Sequence, residues 1–346
     1  MKKQTNKQKI IDLSHGENPK PFLPAVKAVR EEAKKINYYP DAKRERLTNF
    51  ISKTKKIDTK NIYISNGIAG AINIIIPMYA DKKSEIILIS PTYPVYKIAA
   101  KNLKYKIKEI LLEKDFSLDV NKIIKSITKY TKFIVIVNPN NPTGNILISN
   151  KDLEKILKAT KGFVIVDEAY FEFAEENSIK NKSALQLFKK YKNLIVFRSF
   201  SKAYGLAGLR IGYVFADKEV IQKIKEIGEN GNIFKVNRLA LSAAESVFQN
   251  KSLAKKYIKD FVDTKKEFEK QISKIEGIKV LESNTSFTLF KFDKPIKTIP
   301  EKLRKKGILI KPAGMYKNFP KDVLIFGVPR RNQIQYVYKS LKEILK

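Results

Sequence analysis

The stretch Leu194-Ile195-Val196-Phe197-Arg198-Ser199-Phe200-Ser201-Lys202-Ala203-Tyr204-Gly205-Leu206-Ala207-Gly208-Leu209-Arg210 decides the fold. Its first four residues are a short unbroken apolar run, the kind found in a strand covered on both faces. A glycine-containing turn follows, with a lysine beside hydroxyl residues and an arginine eight positions further on. The same pattern repeats outward in both directions. Ile62 to Ile64, Ile86 to Ile89, Phe133 to Val137, Phe163 to Val166 and Ile211 to Phe215 are similar runs, separated by helical segments. Between Ile146 and Lys161, for example, Leu153, Ile156 and Leu157 lie at helical spacing, and Asn150 is placed to cap the start. From about Asn61 to Ala216 the chain therefore reads as α/β, with a mostly parallel central sheet and helices on both faces.

After about residue 217 the texture changes. Tyr257, Phe261, Phe268, Ile272 and Ile275 recur at helical spacing, and Gly277 supplies a stop. Ile278 to Leu281, Phe287 to Phe290, a helix near Ile299 to Lys306, and Ile308 to Ile310 then read as a small α+β unit. The expected division has three parts. Residues 1–36 form an N-terminal segment packing with the small domain, 37–250 the large domain, and 251–346 the small C-terminal domain.

With 346 residues, 43% of them apolar, the chain can bury a large core. It has no cysteine, which excludes disulfides, Cys-based zinc sites and a thiol nucleophile. His15 is the single histidine, so multi-His metal sites are excluded and a metal-free site is expected. The net charge of +34 could attract nucleic acid or an anionic membrane. Yet the excess is mostly lysine, scattered singly along segments such as Lys255 to Lys274, with no arginine–aromatic patch. A solvated lysine surface fits better than a nucleic-acid partner, and its field favours a phosphate-bearing substrate. The basic stretch Met1 to Lys9 has no apolar run after it, and Ile72 to Ala80 is too short to span a bilayer. A cytoplasmic protein without membrane partners is the expectation.

The residues that carry chemistry follow predicted strands or open helices, where ligands of open α/β sheets bind. Asn66-Gly67 follows Ile62 to Ile64 and, with Ile68, opens a helix whose backbone N–H groups suit phosphate; a plain turn reads equally well. Tyr93 in Pro91-Thr92-Tyr93 can lay its ring on a planar heterocycle or simply pack under a loop. In Asn138-Pro139-Asn140-Asn141-Pro142-Thr143-Gly144 two X-Pro steps fix where Asn141 points. Asp167, in Asp167-Glu168-Ala169-Tyr170, is a carboxylate at the end of a buried strand, costly unless paired. A protonated pyridine nitrogen would pair it and Tyr170 could donate to the ring oxygen; a helix-capping aspartate is the plainer reading. Lys202, desolvated among cations, would have a lowered pKa and could form an imine with an aldehyde cofactor and shuttle a proton. Ser199, Ser201 and Arg210 would clamp that cofactor's phosphate.

These strings resemble the fold-type I, pyridoxal-phosphate-dependent class I/II aminotransferases, and most of all the histidinol-phosphate aminotransferase family. The resemblance runs from Glu17-Asn18-Pro19 through Tyr39-Pro40 and the motifs above to Val236-Asn237. It implies that Tyr93 stacks on the pyridine ring, Asn141 and Tyr170 contact its oxygen, and Asp167 pairs its nitrogen. It also implies that Lys202 is the Schiff-base lysine and that Asn66, Gly67, Ile68, Ser199, Ser201 and Arg210 surround the phosphate. Tyr39 is similar to a tyrosine that reaches the partner subunit's cofactor, implying a homodimer with shared sites.

Departures fall on the substrate side. The family's tyrosine after Asn-Pro is Lys20 here, and its Gly-Asn-Gly-x-Asp-Glu string is Ser65-Asn66-Gly67-Ile68-Ala69-Gly70. Val323 stands where an arginine for the substrate's carboxylate or phosphate is expected, and Lys311 replaces a second arginine. Lys20, Lys311, Arg238, Arg330 and Arg331 are the candidate substrate contacts. The reading favoured is amino transfer between an amino-acid donor such as glutamate and a small phosphorylated ketone or aldehyde of histidinol-phosphate or dihydroxyacetone-phosphate type. The alternatives are decarboxylation of phosphoserine or phosphothreonine, and more distantly a basic nucleic-acid-binding protein.

Overall fold

The computed structural model describes residues 10–40, 45–177, 183–230, 236–293, 295–311 and 316–346. The basic stretch Met1 to Lys9 lies outside them. Strand β1 is Ile11–Leu13, and β2 Ile62–Ser65, β3 Glu85–Ser90, β4 Lys106–Leu111, β5 Thr131–Val137, β6 Phe163–Asp167, β7 Leu194–Ser199 and β8 Gly212–Phe215 follow. The C-terminal part adds β9 Ile278–Leu281, β10 Phe287–Phe292, β11 Ile308–Ile310 and β12 Val323–Gly327.

Seven strands form one sheet in the order β2-β8-β7-β6-β5-β3-β4. Strand β8 is antiparallel to both β7 and β2, and the remaining pairs are parallel. The apolar runs are nearly continuous because the sheet is covered on both faces. Ile87, Ile134, Ile136, Val164, Val166, Leu194 and Val196 enter one core. Their neighbours Ile86, Leu88, Phe133, Val135, Ile165, Ile195 and Phe197 enter the other. This is the period-two alternation of a strand with both faces dry. Edge strand β4 escapes that pattern. Its sequence Lys-Ile-Lys-Glu-Ile-Leu is half charged, and Lys106 and Lys108 pair Glu85 at 3.4 and 2.6 Å. Charges of that kind blunt an exposed edge.

The helix expected after Ile146 runs Asn150–Ala159. Its cap is Ser149, whose hydroxyl accepts from the Asp152 N–H at 3.2 Å; Asn150 is instead the first helical residue. The long helix Lys251–Ile272 leads into the C-terminal unit, where β12, β10 and β9 form an antiparallel sheet. Its core gathers Phe268, Phe290, Phe326 and Val337. The N-terminal segment divides its contacts. Strand β1 pairs in parallel with β11, whereas the helix Leu23–Glu32 lies on Arg238–Gln249 of the large unit.

Because β2, β3, β5, β6 and β7 point the same way, their carboxyl ends share one edge of the sheet. The residues after them converge there, and the start of antiparallel β8 brings Arg210 to the same place.

Candidate active site

A cavity of about 310 Å³ opens at this edge, at the small end of the ~300–1,000 Å³ range of ligand sites. Asp167, Ser199, Ser201, Lys202 and Arg210 line it from the strand ends, with Ile68, Tyr93, Asn141 and Tyr170 from the neighbouring loops. The N-terminal segment Leu13 to Glu17 and the C-terminal unit, through Phe287, Lys311, Ile325 and Gly327, close the opposite side.

Lys202 donates to the carbonyls of His15 and Gly16 at 2.7 and 3.3 Å. Burial lowers its pKa to about 8, with Glu17 opposing the shift and Arg210 adding to it. At neutral pH the amine is still mostly charged, but its neutral fraction, about a tenth, far exceeds that of a free lysine and suits a nucleophile and proton carrier. Asp167 ends β6, is 2% exposed, and has its pKa raised to about 6 by burial. It accepts from the Tyr96 hydroxyl at 2.7 Å and from the Ala169 N–H at 3.0 Å. The Ala169 bond is a local turn. The helix that follows begins only at Phe171. Among the described residues no cation pairs with Asp167, so a buried carboxyl is left facing the cavity.

Asn141 is fixed on both sides. Its amide N–H donates to the Tyr170 hydroxyl at 3.3 Å, and its amide oxygen accepts from the Tyr316 hydroxyl at 2.8 Å. Ser199 Oγ accepts from the Ser201 N–H at 3.0 Å, and Arg210 reaches Ser201 Oγ at 3.4 Å. Gly67 opens the helix Gly67–Ile75 with φ +66°, and a Cβ there would sit 2.8 Å from the Arg210 guanidinium. Only glycine lets the helix start and the arginine approach so closely. Asn66 caps that helix without a side-chain bond, and neither Asn66 nor Gly67 lines the cavity as Ile68 does.

A sequence model described as aminotransferase class I and II matches residues 8–322. The chain belongs to that family. Among its relatives, the histidinol-phosphate aminotransferase of Methanocaldococcus jannaschii is 30% identical over 341 residues, covering 97% of this chain and 89% of that protein. The histidinol-phosphate aminotransferase of Sinorhizobium meliloti, solved with pyridoxal-5'-phosphate, superposes with a TM-score of 0.86 at 20% identity, over 97% of this chain and 90% of the other. The L-threonine-O-3-phosphate decarboxylase of Porphyromonas gingivalis shares the fold at TM-score 0.79 and 22% identity, over 97% and 99% of the two chains. The molecule is thus a pyridoxal-phosphate-dependent aminotransferase with the fold-type I architecture.

The residues present fit that cofactor. Asp167 offers an unpaired buried carboxyl to a pyridinium nitrogen. Lys202 offers a partly neutral amine. The cradle formed by the helix start at Ile68, Arg210 and Ser201 offers backbone N–H, a guanidinium and a hydroxyl to a phosphate.

Four of the five candidate substrate cations lie outside the cavity lining, each for a visible reason. Lys20 pairs Asp260 at 2.6 Å, and Arg331 bridges Asp260 and Glu267 at 3.4 and 2.8 Å. Arg330 donates to the Pro19 carbonyl at 3.2 Å. Arg238 pairs Glu32 at 2.6 Å and holds the Tyr38 and Tyr39 carbonyls at 3.1 and 3.4 Å. Lys311 alone of the five lines the cavity. Its pKa falls to about 8 through burial and then the nearby Lys202 charge. Val323 is buried among apolar neighbours that include Tyr316, Phe319 and Ile325, so no cation stands at that place in β12.

Sequence reasoning missed Tyr96, Tyr316 and Glu17. Tyr96 sits one helical turn after Tyr93, a spacing that could have identified it. Tyr316 has no local signal, because it meets Asn141 only through the docking of the C-terminal unit. Tyr39 is 92% exposed and far from burial of any kind in this chain.

Proposed function

We propose that this aminotransferase moves an amino group between glutamate and a small phosphorylated ketone or aldehyde of the histidinol-phosphate or dihydroxyacetone-phosphate type. The observation that carries the reading is Lys311. Once Lys202 and Arg210 serve the cofactor, Lys311 is the cavity-lining lysine or arginine left, among the described residues, for a substrate anion. The names of the relatives support the substrate class.

Bound pyridoxal phosphate supplies a carbonyl that carries the amino group and a ring that withdraws electrons from the reacting carbon. Asp167 would hold the ring nitrogen's proton, Tyr93 would lie against the ring, and Asn141 and Tyr170 would donate to its oxygen. Ser199, Ser201, Arg210 and the helix start at Ile68 would hold the phosphate, with Asn66 and Gly67 shaping that helix start from outside the cavity lining. Lys202 would supply the amine that accepts and returns the substrate's proton. Replacing it by alanine should abolish both the visible cofactor band and activity.

A homodimer with shared sites belongs to the same reading. Leu23, Ile36, Tyr38 and Tyr39 are 70, 70, 67 and 92% exposed, a concentration of apolar side chains that suits a subunit contact. Tyr39 would then complete the partner's phosphate site, and a monomer by sedimentation would end this part. A division near residue 250 is in keeping with the separate cores of the sheet and the C-terminal unit, whereas the segment before residue 36 is shared between them, β1 with the C-terminal unit and Leu23–Glu32 with the large one. Among the described residues no helix is long and apolar enough to cross a membrane, in keeping with a cytoplasmic enzyme.

The apolar surroundings of Val323 favour one second reading, loss of CO₂ from phosphoserine or phosphothreonine, since a carboxylate there meets no arginine. Mixing the holoenzyme with L-glutamate separates the two. Bleaching of the visible band with release of 2-oxoglutarate supports amino transfer. An unchanged spectrum with CO₂ released from a phosphoamino acid supports decarboxylation.

A further inference from the structure

The Asn141 side chain is an amide, and an amide can present either its N–H or its oxygen to a neighbour by turning half-way round. The partner that its oxygen meets here is not local. The Asn141 oxygen accepts from the Tyr316 hydroxyl at 2.8 Å, while its N–H side donates to Tyr170. Asn141, Tyr170 and Tyr316 are all buried. Both hydroxyls can donate or accept, so the tyrosines by themselves fit either face of the amide. A deprotonated ring oxygen can only accept; once it takes the Asn141 N–H, the amide oxygen needs a buried donor, and the Tyr316 hydroxyl is the one beside it.

Tyr316 belongs to the C-terminal part of the chain and Asn141 to the large unit. The segment that carries Tyr316 is seated on the large unit by further contacts. Phe319 stacks on Phe116 with ring centroids 6.1 Å apart and an interplanar angle of 6°. The Asn318 amide reaches Ser90 Oγ at 3.4 Å, just before the loop that carries Tyr93. Phe116 is in turn fixed through its carbonyl, which accepts from the Asn145 amide at 3.0 Å.

We propose that Tyr316 is a positioning residue: docked from the C-terminal unit, it donates to the Asn141 oxygen and so holds the amide in place with its N–H toward the cofactor's ring oxygen. This rests on the reading of Asn141 as a partner of that oxygen. The cofactor half of the site is therefore completed by the C-terminal unit and is not a property of the large unit alone. The Lys311 ammonium lies 4.8 Å from the Tyr316 ring centroid, so the same tyrosine also touches the lysine that lines the cavity from the C-terminal unit.

The test is a double-mutant cycle read on the holoenzyme's visible absorbance. An N–H held against the ring oxygen stabilises its deprotonated form and lowers the apparent pKa of the visible band. Tyr316→Phe removes one hydroxyl and no ring, and should raise that pKa by about one unit, a change of ~1.4 kcal/mol, the size of one hydrogen bond. Asn141→Ala should raise it at least as far. Adding Tyr316→Phe to Asn141→Ala should then change nothing more, because its effect passes through the amide. Lys202, Lys311, Arg210, Asp167, Glu17, Tyr93 and Tyr170 also face the pocket, and all are left in place by Tyr316→Phe. Circular dichroism and thermal unfolding of each variant separate a positioning effect from loss of fold.

Two results overturn the proposal: no shift in Tyr316→Phe, or a shift of the same size in both backgrounds. If Asn141→Ala leaves the band unmoved, the reading of Asn141 falls, and the role of Tyr316 with it. If Asn141→Ala shifts the band and Tyr316→Phe does not, only the role of Tyr316 falls.

Discussion

Replacing Asp167 by asparagine should stabilise the cofactor-free protein while crippling the holoenzyme. Burial raises the Asp167 pKa from 3.8 to about 6. Below about pH 3 the carboxyl is protonated folded or unfolded, and there is no penalty. Between about 4 and 6 the unfolded chain releases a proton that the folded chain keeps, so stability falls as pH rises through this window. Above 6 the whole penalty is present, about 3 kcal/mol for a shift of roughly two units. Asparagine removes the charge but keeps the shape. It keeps one acceptor for the Ala169 N–H and makes the Tyr96 hydroxyl turn round to accept, at a cost of about 1 kcal/mol.

The expected net gain for the apo variant is about 2 kcal/mol at pH 7, changing to a loss of about 1 kcal/mol at pH 3. Urea is the denaturant of choice, because guanidinium salts would screen the self-repulsion of a chain of net charge +34. Cofactor binding should move the opposite way. Loss of a charged hydrogen bond of about 1.5–3 kcal/mol weakens pyridoxal phosphate roughly 10- to 100-fold. An apo stability difference that stays flat from pH 4 to 7 would refute the argument, since the carboxyl would then not carry the penalty.

Lys311 should give its substrate an alkaline limit. Its ammonium is charged below about pH 8, so affinity for a phosphorylated substrate is present below that pH and lost above it; Lys311→Met should raise KM at least ~10-fold at pH 7, and Lys311→Arg should keep affinity past pH 9. Gly67→Ala should push Arg210 out of the cradle, seen as weaker cofactor retention with thermal stability lowered by no more than a few degrees; unchanged affinity would mean the guanidinium does not hold the phosphate. Arg198 is 1% exposed and reaches Glu168 and Glu172 at 2.8 and 2.9 Å. Arg198→Met should cost about 3–5 kcal/mol of stability, because it leaves buried carboxylates unpaired, and a smaller loss by urea titration would show that Glu168 and Glu172 protonate instead.

The fold was legible where one rule dominated. A strand buried on both faces must be apolar throughout, so β5, β6 and β7 announce themselves, and their ends differ from the expected bounds by one or two residues. Strand β4 obeys a second rule, the charged edge, and its lysines conceal it. Most of the residues that line the cavity were legible for a related reason. A residue that follows a parallel strand is delivered to the ligand edge by the strand itself, so Asp167, Ser199 and Lys202 need only local sequence to be placed.

Substrate cations obey no such rule. Lys20, Arg238, Arg330 and Arg331 are near the right elements in sequence, but each meets an acidic side chain or a backbone carbonyl before it meets the cavity. In a chain with 69 lysines and arginines, proximity along the sequence selects almost nothing; what singles out Lys311 is its place beside β12 and opposite Lys202, a pairing across the two units. Tyr316 enters the same way. The large unit brings its candidate cofactor residues to its strand ends, and the C-terminal unit adds the Tyr316 hydroxyl beside Asn141 and the Lys311 ammonium to the same cavity. On the proposed roles, changes confined to β11, β12 and the segment from Tyr316 to Phe319 should alter substrate choice without disturbing Lys202 or Asp167, because those two are delivered by the strands of the large unit.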